Sequence, residues 1–288
     1  MPDDTPASIR IVVERVRVEG NGAILLTGPS SCGKGEIAKS ISSVLSLSND
    51  HHVSMGDVLR QTIERASTDE AFRDRLGREF GIRSDVSIFD VRHNPIDLMD
   101  KARRYEDQIR RCRGDGGTEV SQLDWLSFCV RQGLLIPDGW AEAIIAAHFR
   151  KMHQLHDGIF VLDGYPRTTV ATQKLLKTFK QLGIGIIKVI HLSITKEQMK
   201  LRAENRGRGD DIEEALNRRY QFYVEKVQPC IDSLKMQLGQ DRVVIIDAHQ
   251  PVFRKDGRLN LNRSILAVTT SVIEALGLPN YLLDIKNP

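Results

Sequence analysis

Residues 160–167 read Phe-Val-Leu-Asp-Gly-Tyr-Pro-Arg, and two of them could do chemistry on a phosphate. Asp163 follows three apolar residues that suit a short buried strand. Its carboxylate then stands at a strand C-terminus, where open α/β sheets hold their ligands. A carboxylate so placed can hold Mg2+ through water, because that ion gives up its hydration reluctantly. Gly164 and Pro166 suit a tight turn. Arg167 leaves the turn as a planar fork of donors that matches a phosphate. Metal and guanidinium side by side are what phosphoryl transfer requires.

A second group lies nearer the N-terminus. Residues 23–27 read as a buried strand, Gly-Pro-Ser-Ser-Cys-Gly-Lys-Gly follows at 28–35, and a helical stretch runs over 36–47. Gly-x-x-x-x-Gly-Lys between strand and helix is a phosphate-binding loop in its required context. Gly28, Ser31, Cys32, Gly33 and Gly35 shape a loop whose backbone N–H groups turn inward, and the helix N-terminus adds positive potential. Lys34 can bridge the outer phosphates as a point charge. Cys32 has two readings: a small residue filling the loop, or a thiol made acidic by the helix terminus.

The elements that position these groups belong to an α/β chain. Its 288 residues suffice for a large domain with an insertion. A hydrophobic share of 41% and a charged share of 27% are ordinary for a soluble protein. A net charge of +3 is too small to imply nucleic acid or an anionic membrane as partner. No apolar run reaches the roughly 18 residues of a membrane helix, and residues 1–8 are not those of a signal peptide. The cysteines at 32, 112, 129 and 230 are widely spaced and form no Cys-x-x-Cys. That argues against zinc and fits free thiols in a reducing, cytoplasmic setting.

Taken in order, the motifs resemble those of the adenylate kinase-like nucleoside monophosphate kinases, whose signature is Asp-Gly-Tyr-Pro-Arg. The likeness runs from Gly22 to about Ile246. It implies an open parallel sheet with helices on both faces, an enlarged acceptor-binding domain and a short lid. It implies ATP as phosphoryl donor, Mg2+ as cofactor, and small-molecule nucleotides as ligands. Lys34 and the loop at 28–36, with Arg202, would hold ATP, and Asp163 would orient hydrated Mg2+. The family shares Gly35, but it usually has Thr where this chain has Glu36. That Thr donates to an inner phosphate; a carboxylate cannot, and it repels phosphate unless it turns away.

On the acceptor side, Ser-Met-Gly-Asp-Val-Leu-Arg at 54–60 resembles the family's Ser-Thr-Gly-Asp-Leu-Leu-Arg. Ser54 and Gly56 would end a strand, Asp57 would cap the next helix, and Arg60 would reach back to the acceptor phosphate with Arg167. Gly-Leu-Leu-Ile-Pro-Asp at 133–138 resembles Gly-x-Leu-Val-Pro-Asp, which makes Ile136 the position whose backbone meets the acceptor base. Pro137 and Asp138 also read as a helix start. Met55 replaces the usual Thr, and Ala171 stands where Gln or Asn normally reads the base. Gln173, two residues on, either takes over that reading or is a helix-surface residue. The motifs therefore support a nucleoside monophosphate, with AMP as first guess.

The lid matches through Arg202, Arg206, Arg208, Asp210 and Asp211, followed by Arg219 and Tyr223 on a long helix over 211–235. By the resemblance, Arg206, Arg208 and Arg219 stabilise the transferring group. The expected organisation is an extra strand within 1–18, a kinase-like domain over 19–249, and a C-terminal helix and tail over 250–288. Within the domain, 55–137 forms the acceptor-binding part and 202–211 the lid. Between Arg60 and Gly133 lie 72 residues where relatives use a short helix pair. The excess, about 65–119, reads either as an elaborated acceptor-binding domain or as a docking surface for a partner or second subunit. Two other functions share the motifs: a non-catalytic nucleotide-binding regulatory module, and a P-loop kinase of a non-nucleotide small molecule.

Overall fold

The computed structural model describes residues 20–113, 119–152, 158–206, 213–280 and 283. Five strands form its centre: β1 (Gly22–Thr27), β2 (His52–Ser54), β3 (Ile159–Asp163), β4 (Ile186–Ser193) and β5 (Val243–Asp247). They lie in the order β2-β3-β1-β4-β5 and every neighbouring pair is parallel. In chain order the helices are α1 (Lys34–Val44), α2 (Met55–Thr68), α3 (Glu70–Phe80), α4 (Ile96–Arg103), α5 (Glu106–Arg113) and α6 (Gln122–Arg131). They continue with α7 (Asp138–Lys151), α8 (Thr169–Leu182), α9 (Lys196–Arg206), α10 (Glu213–Phe222), α11 (Gln228–Leu238) and α12 (Leu261–Ala275).

Every residue of β1 and β3 is buried, as expected of strands covered on both faces. Alternate side chains enter two cores. Ala23, Leu25, Phe160 and Leu162 pack with Phe149 of α7, Leu175 and Phe179 of α8, and Leu234 of α11. Ile24, Leu26, Ile159 and Val161 pack with Ile37 and Ile41 of α1, Met199 of α9 and Val272 of α12. The expected open parallel sheet with helices on both faces is the observed architecture.

That division of helices also locates the crevice. β1 and β3 are neighbours, yet α1 and α8, which follow them, lie on opposite faces. Their departing chains part at the strand C-termini, which opens a ligand crevice there.

Local chemistry sets the helix starts. Ser54 caps α2 by accepting from Asp57 N at 3.4 Å, so the cap is Ser54 and not, as the sequence suggested, Asp57. Asp57 sits in the first turn, where a carboxylate is favoured. Thr168 caps α8 by accepting from Ala171 N at 3.0 Å. The helix expected over 211–235 is α10 and α11 joined by a π-helical turn at Tyr223–Val227.

Residues from the stretch read as an insertion belong to the main core. Ile82, Ile88, Leu98, Ala102 and Ile109 join the cluster that holds Val53, Met55 and Trp125. A buried polar lock fixes its loop: Gln122 Nε2 donates to Asn94 Oδ1 at 2.8 Å, and Gln122 Oε1 accepts from Arg83 N at 2.9 Å. Arg103, Arg104 and Arg111 make up an exposed charged face. The strand expected within 1–18 and the Gly-Asp-Gly-Gly link at 114–117 lie outside the described residues. Among the described residues, no helix is long and apolar enough to cross a membrane.

Candidate active site

A cleft of about 800 Å³ opens at the C-terminal edge of the sheet. The β1–α1 loop contributes Ser31, Gly33, Lys34, Gly35 and Glu36, and the end of β3 contributes Asp163, Gly164 and Arg167. The β2–α2 junction contributes Ser54, Met55 and Arg60, the segment before α7 contributes Ile136, and Arg202 and Arg219 complete the lining. The structure thus gathers in one place residues that the sequence spreads from position 31 to 219.

The loop is shaped by close packing. A Cβ on Gly28 would collide with the Leu192 carbonyl and stand 2.9 Å from Cys32 Sγ, so the turn requires glycine. Cys32 is 1% exposed and packs under the loop rather than lining the cleft. Gly28 borders a smaller cavity of about 50 Å³ that also touches Lys34, Arg167 and Arg219. Lys34 Nζ donates to the carbonyls of Gly28 at 3.0 Å and Pro29 at 2.7 Å.

Asp163 is 9% exposed, and its Oδ1 has no hydrogen-bond partner. Burial raises its carboxyl above the usual range, against the opposing charges of Lys34, His52 and Arg167. Ser31 Oγ, His52 Nε2 and Tyr165 OH are also buried without a partner, and all four residues line the cleft. Buried polar atoms are normally satisfied. Such a concentration suits a polar ligand that brings its own donors and acceptors. Among the described residues, no three His, Cys, Asp or Glu side chains group to hold a metal directly. Asp163 therefore fits Mg2+ only as a lone carboxylate acting through the ion's water.

Each cationic side chain has its own support. Arg167 Nε donates to the Gly164 carbonyl at 2.8 Å. Burial disfavours the Arg167 charge and the Asp163 carboxylate sustains it. Arg60 Nη2 reaches Asp57 Oδ1 at 2.5 Å, and both are exposed. Arg202 donates to the Cys32 carbonyl at 3.1 Å and the Ala248 carbonyl at 2.7 Å, tying α9 to the phosphate loop and to the chain after β5. Arg219 packs against Gly133. Glu36 turns to Lys39, 3.1 Å away at the cleft rim, so its carboxylate is directed to a cation.

Of the two readings of Gln173, the structure shows the helix-surface residue and not the base reader. Ala171 is buried and Gln173 is exposed on α8, away from the cleft lining. Two residues of helix turn a side chain about 200° around the axis, and no local shift in α8 reverses that. The Arg206 side chain, Arg208, Asp210 and Asp211 lie outside the described residues.

The structure adds one polar system. His191 of β4 is 3% exposed. Its Nδ1 lies 2.8 Å from Thr27 Oγ1, just before the phosphate loop, and its Nε2 lies 2.9 Å from Tyr223 OH in the π-helical turn. The His191 and Tyr223 rings stack with centroids 5.7 Å apart. Burial, helped by the charges of Lys34 and Lys235, pushes the His191 imidazole down to about 4, so it is neutral. A lone histidine between the apolar Ile190 and Leu192 of β4 was the available signal.

Comparison with known proteins agrees with the geometry. An adenylate kinase of Alkaliphilus oremlandii is 24% identical over 260 residues, covering 80% of this chain and 92% of that protein. One from Kocuria rhizophila is 26% identical over 227 residues, covering 77% and 87%. One from Bacteroides thetaiotaomicron is 31% identical over 131 residues, covering 44% and 67%. No protein-family model matches the chain.

Proposed function

Because this chain belongs to the adenylate kinase-like P-loop kinases, we propose that it transfers the terminal phosphoryl group of ATP to a nucleoside monophosphate, giving two nucleoside diphosphates. The observation that carries this reading is the juxtaposition of Lys34 and Arg167 about the buried, unpartnered Asp163 carboxylate. Two cations and one carboxylate at the crevice between β1 and β3 suit phosphate groups and a hydrated cation.

In this reading the β1–α1 loop binds ATP through its backbone and Lys34. Arg60 and Arg167 hold the acceptor phosphate. Its oxygen attacks the terminal phosphorus in line; a new P–O bond forms as the bond to the leaving ADP oxygen breaks. Arg219, with Arg206 and Arg208, neutralises the charge that spreads over the transferring group. Asp163 would hold hydrated Mg2+ through water, and the ion would supply further neutralisation of phosphate charge. No side chain acts as nucleophile, so the protein's work is positioning and charge. Residues 55–137 serve as the acceptor-binding part and 202–211 as the lid, which excludes water so that transfer prevails over hydrolysis.

The test is ADP formation from ATP and Mg2+ with AMP, CMP, UMP, GMP and dTMP offered separately, beside Lys34→Ala. One preferred acceptor, with turnover lowered by about two orders of magnitude in the variant, is the expected result. ATP binding without transfer to any monophosphate would replace this reading with a nucleotide-binding module.

A further inference from the structure

A side chain of the stretch read as an insertion reaches the backbone that lines the cleft. Lys101, on α4, extends its Nζ to the backbone carbonyl of Leu135 at 2.8 Å. The ammonium lies 5.9 Å from the Trp125 ring centroid, over its face. Leu134, Leu135 and Ile136 all line the cleft beside Met55 and Arg60, remote in sequence from the phosphate loop. The strap they form has a second fixed point: Leu134 N donates to Cys129 O at 2.7 Å, just beyond the turn at Gly133.

We propose that Lys101 is a positioning residue for the acceptor: by holding the Leu135 carbonyl it fixes the strap and the peptide group whose N–H belongs to Ile136. A hydrogen bond to a cation is about twice as strong as a neutral one. It also polarises the peptide it grips, which makes the N–H on the other side of that amide a better donor. The Ile136 N–H has no partner among the described residues. A ligand with an acceptor atom in its plane, such as a ring nitrogen or carbonyl of a nucleobase, is the chemistry that would use it. The insertion then belongs to the acceptor site as a brace. Lys101 keeps its charge at a cost, because burial lowers its affinity for the proton while Cys129 and Asp97 oppose that shift.

The inference rests on the nucleoside monophosphate reading only for the identity of the acceptor, and the two can fail separately. Hydrogen exchange in the free protein needs no substrate. In Lys101→Met, which keeps the volume and apolar stem, the Leu134 amide, the hydrogen-bonded one of the strap, is expected to exchange at least about tenfold faster, with the amides of 28–36 unchanged. With the acceptor identified by the panel above, its KM should rise about tenfold while the KM for ATP stays within about twofold. Lys101→Gln, which restores a neutral donor, should recover part of both effects. It also carries both measurements should the methionine variant fail to fold. Unchanged exchange at Leu134, or KM values for ATP and acceptor that rise together, would overturn the role. If no monophosphate is phosphorylated, the exchange result alone decides it.

Discussion

The guanidinium of Arg219 lies against Gly133: a Cβ on that glycine would stand 3.2 Å from Arg219 Nη2. Gly133 ends α6 in a left-handed conformation, φ 63°, and turns the chain into the strap. Arg219 comes from α10. Gly133→Ala should therefore act twice. The positive φ costs about 1 kcal/mol of stability, and the added methyl crowds the Arg219 guanidinium, which must shift to make room. Turnover is expected to fall roughly tenfold or more, far beyond the small drop in unfolding midpoint. A thermal melt beside steady-state rates checks it; wild-type turnover would detach Arg219 from the chemistry.

Asp163 places function against stability. Burial raises its pKa in the native state, so the native state holds its proton to higher pH than the unfolded chain does. Stability from this group therefore falls as pH rises through that window, and at neutral pH its charge weakens the fold. Asp163→Asn removes that penalty. The variant should melt at the wild-type temperature or higher, yet lose turnover by about two orders of magnitude. A lower midpoint together with retained activity would contradict both halves of the argument.

Glu36 is 58% exposed and paired with Lys39, itself 69% exposed. A pair so exposed contributes less than about 1 kcal/mol to stability. Glu36→Thr should leave the unfolding midpoint nearly unchanged. It removes a negative charge from the cleft rim and supplies a hydroxyl donor beside the phosphate loop, so the KM for ATP should fall about threefold to tenfold. Equilibrium titration with a non-hydrolysable ATP analogue separates this from rate effects. An unchanged affinity would mean that the carboxylate stays turned to Lys39 when the donor binds.

His191 makes the fold sensitive to mild acid. Its native pKa, about 4, is below the roughly 6.5 of an unfolded histidine. The unfolded chain then binds the proton first as pH falls. This stability is fully present above about pH 6.5 and is lost toward pH 4, by on the order of 2–3 kcal/mol. Urea unfolding from pH 7 to 4.5 should show a steeper loss in wild type than in His191→Asn. Parallel curves would mean that the imidazole titrates alike in both states. Tyr223→Phe, which removes one of its two partners, should move the titration as well.

Much of this molecule was legible as short-range pattern. Apolar residues at 23–26 and 160–162 announced the central strands, and the loop at 28–35 lay between a strand and a helix as its chemistry demands. Pro137 and Asp138 opened α7 where the residue types said they would. Such features depend on neighbours within a turn or a strand, where backbone geometry follows from residue type and spacing. Gln173 marks the limit: its type suited a base reader, but the face that α8 buries, with Ala171 on it, turned the amide outward.

The sequence by itself determined a P-loop α/β chain with the residues of phosphoryl transfer in order. Tertiary structure decided which distant residues support them. Lys101 and Leu135 are 34 positions apart, Arg202 and Ala248 are 46 apart, and Thr27 and His191 are 164 apart. No spacing rule joins such pairs. They meet because the sheet order puts β4 beside β1 and the shared core presses the insertion against the strap. Buried polar groups brought together in that way must then find partners in one another.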